Sequence, residues 1–285
     1  MQKQLQHFGF INHCRVDLLR LDLPDPVSGG NKFFKLKYNL EECKRLGKKR
    51  ILTFGGAFSN HIAAVAAAGK ANAIPTIGII RGEELSPSAN EVLQFASGCG
   101  MELHFISRED YRRRNDPEFL AQLSAQFGDP YLLPEGGSNE LAVKGCQEIL
   151  PREAQTADLI FCPVGTGATL AGIIASAAAY QHIVGIAVLE GKEYLEAELH
   201  RHLAGRKVKA SWEINADFTF GGYAKSDPLL ERFIAAQNNL PLDPVYSGKC
   251  FYAMMQLVKS GAFPLRQFLF IHTGGYHFLR KMSDY

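Results

Sequence analysis

Little in this sequence is extreme, and each shortage excludes something. Its 285 residues carry 31 basic and 29 acidic side chains, a net charge of only +2. No basic field is on offer for a nucleic acid. No apolar run reaches the roughly 18 residues of a membrane-crossing helix. The longest weakly polar stretches, residues 62–68 and 168–180, fall short of it, so no membrane partner is expected. Residues 1–10 hold three Gln and a His and lack the charged and apolar regions of a signal peptide, which predicts a cytoplasmic protein. Six cysteines (Cys14, Cys43, Cys99, Cys146, Cys162, Cys250) form no Cys-x-x-Cys pair. That pattern fits neither a disulfide framework nor a zinc site, so buried, reduced thiols and no metal are expected. With 46% apolar and 21% charged residues the chain is not disordered. Length alone does not choose between one large domain and two smaller ones.

What is present is alternation. Apolar, β-branched runs predict strands at residues 18–23, 51–54, 76–81, 102–106, 159–163, 184–189 and 268–272. Helical periodicity predicts helices at residues 33–46, 59–71, 90–96, 118–127, 140–150, 168–179, 193–203, 228–237 and 248–260. Strand–helix alternation implies βαβ units, hence an α/β fold of mostly parallel sheets flanked by helices. The run Arg112-Arg113-Arg114 reads as a solvated turn rather than a phosphate site. His200 and His202, two apart, diverge on a helix and make no metal pair.

The 27 glycines are clustered. Four turns stand out: Gly29-Gly30-Asn31-Lys32, Gly55-Gly56-Ala57-Phe58-Ser59-Asn60-His61, Gly165-Thr166-Gly167-Ala168-Thr169, and Thr273-Gly274-Gly275. Any one is explained by glycine's backbone freedom. Together, mostly at strand ends, they point to one ligand cleft lined by backbone. The Gly165 turn precedes a helix, where N–H groups, helix dipole and Thr hydroxyls make an anion cradle. It lacks the Lys-Ser/Thr of a triphosphate loop. A dinucleotide site is the rival reading, with Glu190 at the end of the next expected strand. Ser59-Asn60-His61 open another helix whose N–H groups suit a carboxylate. Lys32 begins a third, where the positive helix end lowers an ammonium pKa and favours an imine-forming amine. Phosphate cradle, carboxylate site and reactive lysine together suggest pyridoxal-phosphate chemistry on an amino acid.

Six ordered motifs then resemble one family, the 1-aminocyclopropane-1-carboxylate deaminase / D-cysteine desulfhydrase family of fold-type II pyridoxal-phosphate enzymes, related to the tryptophan synthase β subunit. They are Gly29-Gly30-Asn31-Lys32 with Lys35-Leu36, the Ser59-Asn60-His61 turn, Pro134-Glu135-Gly136-Gly137-Ser138, the Gly165 loop, Asp243-Pro244-Val245-Tyr246-Ser247-Gly248-Lys249, and His272-Thr273-Gly274-Gly275. Order and spacing agree from about Arg20 to Tyr276. The resemblance implies two lobes, a large one of residues 1–34 and 139–285 and a small α/β one of residues 35–138, with pyridoxal 5'-phosphate in the cleft and a homodimer as the assembly. It implies that Lys32 holds the cofactor and shuttles the Cα proton. Asn60 would bond the phenolic oxygen, and Gly165, Thr166, Gly167, Ala168 and Thr169 the phosphate. Ser59, Asn60 and His61 would hold the carboxylate of a small amino-acid substrate. Tyr246 and Tyr223 would stand near the reacting carbon.

Two positions choose between branches. In the deaminase branch, the resemblance implies a glutamate at position 247 that keeps the pyridine nitrogen protonated. Here Ser247 offers only a neutral hydrogen bond. Thr273 replaces that branch's leucine. Both favour a desulfhydrase-like elimination from D-cysteine, giving pyruvate, H₂S and ammonia. Cyclopropane ring-opening, a catalytically silent binder and a nicotinamide dehydrogenase are the other readings. Phe33, Phe34 and Lys37 depart from the family pattern next to Lys32.

Overall fold

The computed structural model describes residues 4–23, 29–237, 239–263 and 267–275, so Tyr276, the far end of the resemblance, lies outside the described residues. Two sheets organise the chain. The larger takes β1 (Gln4–Ile11), β2 (Cys14–Arg20), β7 (Leu159–Val164), β8 (His182–Ala187), β9 (Ser211–Asn215) and β10 (Gln267–His272) in the order β1-β2-β10-β7-β8-β9. All its pairings are parallel except β1 with β2. The smaller takes β3 (Ile51–Gly56), β4 (Thr76–Arg81), β5 (Glu102–Ile106) and β6 (Tyr131–Leu133) in the order β5-β4-β3-β6, all parallel. The central strands are buried along nearly their whole length, as a parallel sheet covered on both faces requires.

Helices cover those faces. They are α1 (Gly30–Arg45), α2 (Asn60–Asn72), α3 (Glu91–Gly98), α4 (Arg108–Arg112), α5 (Pro117–Gln126), α6 (Glu140–Cys146), α7 (Ala168–Ser176), α8 (Lys192–Leu203), α9 (Pro228–Ala235) and α10 (Ser247–Lys259). Side chains alternate across each sheet into separate cores. Along β7, Ile160, Cys162 and Val164 join α6 and α7, while Leu159 and Phe161 join α10. Along β3, Ile51 packs with α2, and Leu52 and Phe54 pack with α5. Helix α1 belongs to both sheets. Its Phe34 enters the core of the larger sheet, whereas Leu36 and Cys43 enter that of the smaller. Every predicted strand and helix is present. The sequence reading had no β1, β6, β9 or α4, which are edge strands, a three-residue strand and a five-residue helix.

The carboxyl ends of the parallel strands open onto one cleft. Gly56 ends β3, Arg81 ends β4 and Val164 ends β7, and Thr273 follows β10; all four line it. Among the described residues no helix is long and apolar enough to cross a membrane, and no cluster of three metal-binding side chains occurs.

Candidate active site

The cleft encloses a cavity of about 640 Å³, within the range typical of small-molecule sites. Lys32, Ser59, Asn60, His61, Gly165, Thr166, Gly167, Thr169, Tyr223, Tyr246 and Thr273 all line it, so six chain segments far apart in sequence meet there.

The Lys32 turn is clamped onto the end of β10. The Asn31 N–H donates to Thr273 O at 3.0 Å, and the Gly30 N–H donates to Leu21 O at 2.9 Å. Gly30 has φ +64, and a Cβ there would lie 2.3 Å from Thr273 O, so only glycine permits the contact. The Asn31 amide donates to Thr169 Oγ1 at 2.9 Å, tying this turn to the Gly165 loop. Burial is the main reason that the Lys32 ammonium falls to about 8, partly offset by Cys146 and Asp243. The helix end, invoked from sequence, is the lesser consideration.

The Gly165 loop has the form of an anion cradle. Gly167 (φ +81) enters α7 with no side-chain cap and no acid in its first turn. The first N–H groups of α7 therefore keep their donors and the positive end of the helix dipole. Ala168 turns its methyl into the core at 0% exposure and can offer only backbone. Lys35, one helical turn after Lys32, donates to Gly136 O at 2.7 Å and Thr166 Oγ1 at 3.1 Å. Burial and the neighbouring Lys32 lower it to about 7. Lys35 was only part of a motif in the sequence; its spacing of three from Lys32, which puts both on one helix face, was the available signal.

Across the cleft, Ser59 caps α2 by accepting from Ile62 N at 3.4 Å, and α2 also lacks an acid in its first turn. His61 Nε2 lies 2.7 Å from Thr53 Oγ1, leaving Nδ1 as a buried polar atom without a protein partner. Burial first, then Lys32 and Lys35, hold His61 well below its usual pKa, so it is neutral. Tyr246 Oη donates to Tyr223 Oη at 3.5 Å. Burial raises both phenols, Tyr246 strongly, so neither is ionised near neutrality.

Ser247 does not line the cavity. Its hydroxyl donates to Asp243 Oδ2 at 2.5 Å and accepts from Asp243 N at 2.8 Å. Asp243, 1% exposed, also accepts from the N–H groups of Val245, Tyr246 and Ser247. The Asp243 carboxylate is thus saturated by the turn that leads into α10. Lys249 is buried and donates to the carbonyls of Val188, Thr219 and Gly222, pinning the segment that carries Tyr223. The sequence quoted it only as the last letter of a motif.

Two readings are corrected. The arginine run is not a free turn: Arg112 and Arg114, with Arg81 and Arg108, line the cavity. Glu190, proposed for a nucleotide ribose, does not line it. His202 Nε2 lies 3.1 Å from Ser138 Oγ and His200 packs on Trp212, in keeping with the absence of a histidine pair.

The residues present suit pyridoxal phosphate. The uncapped α7 terminus, Thr166, Thr169 and Lys35 would hold the phosphate. The Lys32 amine would take the aldehyde carbon, Asn60 the phenolic oxygen, and Thr273 would meet the ring nitrogen. His61 lines this space, and its buried Nδ1 has no partner among the described residues, a polar group in want of one.

Comparison with known proteins agrees. The chain is 28% identical to a Thermotoga maritima protein provisionally named a 1-aminocyclopropane-1-carboxylate deaminase, over 96% of this chain and 92% of that one. It is 26% identical to a D-cysteine desulfhydrase of Serratia proteamaculans, over 91% and 86%. The crystal structure of an ACC deaminase homologue superposes with a TM-score of 0.79 at 24% identity, covering 100% of this chain and 94% of that one, which attests the fold. The family model for pyridoxal-phosphate dependent enzymes matches residues 13–226. Most of the chain, including Lys32 and the Gly165 loop, lies inside that match, and the protein belongs to the fold-type II pyridoxal-phosphate enzymes, in their 1-aminocyclopropane-1-carboxylate deaminase / D-cysteine desulfhydrase family.

Proposed function

We propose that this enzyme removes the β-substituent of a small amino acid, with D-cysteine as the reference substrate: D-cysteine and water give pyruvate, H₂S and ammonia. The observation that carries the reading is that, among the described residues, the acid bonded to Ser247 is fully engaged. Ser247 stands in place of the deaminase branch's glutamate, its hydroxyl is bonded to Asp243, and Asp243 is saturated in turn. Thr273 then offers a neutral hydroxyl. A ring that is not held protonated is a weaker electron sink, adequate for expelling thiolate and poorly suited to opening a cyclopropane.

When bound, pyridoxal phosphate supplies the sink for the electron pair left by the Cα proton. The rest falls to the chain. The acid-free start of α2, with Ser59, Asn60 and His61, binds the substrate carboxylate. Lys32, with its pKa near 8, exchanges protons near neutral pH and takes the one at Cα. Neutral Tyr223 and Tyr246 donate hydrogen bonds without competing as bases. Arabidopsis thaliana has a bifunctional D-cysteine desulfhydrase/1-aminocyclopropane-1-carboxylate deaminase, 27% identical over 94% of this chain and 74% of that one, so the second activity is the natural control.

The test is product analysis with both substrates. Pyruvate and sulfide from D-cysteine, with little 2-oxobutanoate from 1-aminocyclopropane-1-carboxylate, is the expected result. The reverse pattern would move the assignment to the deaminase. A cofactor-loaded protein that converts neither, nor any other β-substituted alanine of either hand, would leave a silent binder.

A further inference from the structure

The wall of the cavity facing the cofactor end carries more positive charge than the proposed reaction uses. Six cationic side chains line the space (Lys32, Lys35, Arg81, Arg108, Arg112, Arg114), against one carboxylate, Glu135. Several are accounted for. Lys32 and Lys35 serve the cofactor end. Arg114 pairs with Glu135 at 2.6 Å, and Arg108 pairs with Glu84 at 2.5 Å. Arg81 and Arg112 remain, and among the described residues neither has an acid within ion-pair reach.

Arg81 lines the cavity with an exposed side chain. It ends β4 opposite Gly56 of β3, and its guanidinium lies 3.8 Å from where a Gly56 Cβ would stand. Gly56 begins the turn that leads to Ser59, Asn60 and His61, so Arg81 stands one strand away from the carboxylate site. The Tyr111 ring, 3% exposed, is flanked by Arg81 at 5.8 Å and Arg114 at 5.1 Å. Its hydroxyl donates to Glu135 at 2.6 Å. Tyr111, Glu135 and Arg114 thus form a platform beneath one guanidinium that has no charge partner. Arg112 comes from the same short helix, α4, whose Ser107 cap accepts from Asp110 N.

We infer that Arg81 and Arg112 receive a second anionic group, carried on the β-substituent of the substrate: a carboxylate, sulfate or phosphate. The assignment rests on the elimination reading above and names its substrate class. Guanidinium groups match such oxyanions in bidentate geometry, and a cleft of one sign concentrates them. They also favour departure, because the leaving group takes the electron pair of its bond to Cβ. For an O-phosphoserine, the Cα proton is removed, the Cβ–O bond breaks, and phosphate leaves. Water then completes the conversion to pyruvate and ammonia.

The experiment compares the cofactor-loaded enzyme with Arg81→Gln, Arg112→Gln and the double variant. Pyruvate release is followed from serine O-phosphate, serine O-sulfate and uncharged cysteine, each in both hands. The expected result is that the double variant lowers the ratio of kcat/KM for anionic over uncharged substrates by about tenfold or more, an effect of about 1.4 kcal/mol. An unchanged ratio overturns the inference. So does an equal loss on all substrates, which would place the arginines at the α-carboxylate. If no substrate yields pyruvate, the elimination reading fails, and calorimetric binding decides the arginines separately. Aspartate should then bind tighter than alanine to wild type but not to the double variant, and equal binding to wild type refutes the assignment.

Discussion

The wall of the cleft that hangs from the larger sheet meets a ligand with backbone N–H groups and hydroxyls. The wall from the smaller sheet adds, to the backbone at the start of α2, guanidinium groups, a phenol and a carboxylate. In the first, function follows from main-chain shape. Gly30 allows an approach no other residue permits, Gly167 a left-handed entry into α7, and a Cβ at Gly145 would reach 1.9 Å from Phe34 O. In the second, function follows from side-chain identity on short elements: α4, the end of β4 and the turn at Glu135. The first wall tolerates little change at any position. The second can be re-charged one residue at a time.

The largest effect expected from breaking this contrast is chemical. Lys32→Ala should cost about a thousandfold or more in turnover and abolish the visible absorbance of the loaded cofactor, read by spectrophotometry and pyruvate assay. Retained absorbance would place the attachment elsewhere. Next is Gly30→Ala, whose Cβ meets Thr273 O at 2.3 Å in a left-handed backbone. It should lose about 3 kcal/mol of stability, measured as a urea midpoint. Lys249→Met leaves the carbonyls of Val188, Thr219 and Gly222 without this donor. A loss of about 2 kcal/mol is expected, along with weaker substrate binding through the Tyr223 segment; unchanged KM would confine the lysine to scaffolding.

A pH profile sharpens the same contrast. Lys32 is lowered to about 8, so its neutral form dominates only above that pH. Loading of cofactor-free protein should therefore speed up about tenfold per pH unit below pH 8 and level off above it. Stopped-flow absorbance reads this, and a plateau first reached near the free-lysine value would refute the burial argument. The smallest effect belongs to the second wall. Tyr111→Phe removes the donor to Glu135, which keeps Arg114, and should cost about 1 kcal/mol by the same denaturant measurement.

This contrast also decides what could be read from the sequence. The main-chain wall was legible because its geometry demands glycine at fixed offsets from strand ends. The central strands were legible because both their faces are buried. The strand β1 escaped because its burial is irregular and mostly shallow, and β9 because Ile214 alone of its residues is buried. The helix α4 is too short for periodicity to register, and with it went the cavity arginines, which read as solvated charge. Ser247 was read as a group turned toward a ring. Its neighbour Asp243 claims the hydroxyl instead, because the start of α10 needs an acceptor for its N–H groups.

Helix α1 has a mechanical consequence. One end is gripped by the core of the larger sheet and the rest by the core of the smaller, with Lys32 and Lys35 near the changeover. It is a shaft running through both halves of the machine. If the smaller sheet swings toward the larger, the shaft must either twist or carry the reactive amine with it. Any such swing would thereby be geared to the position of the Lys32 nitrogen.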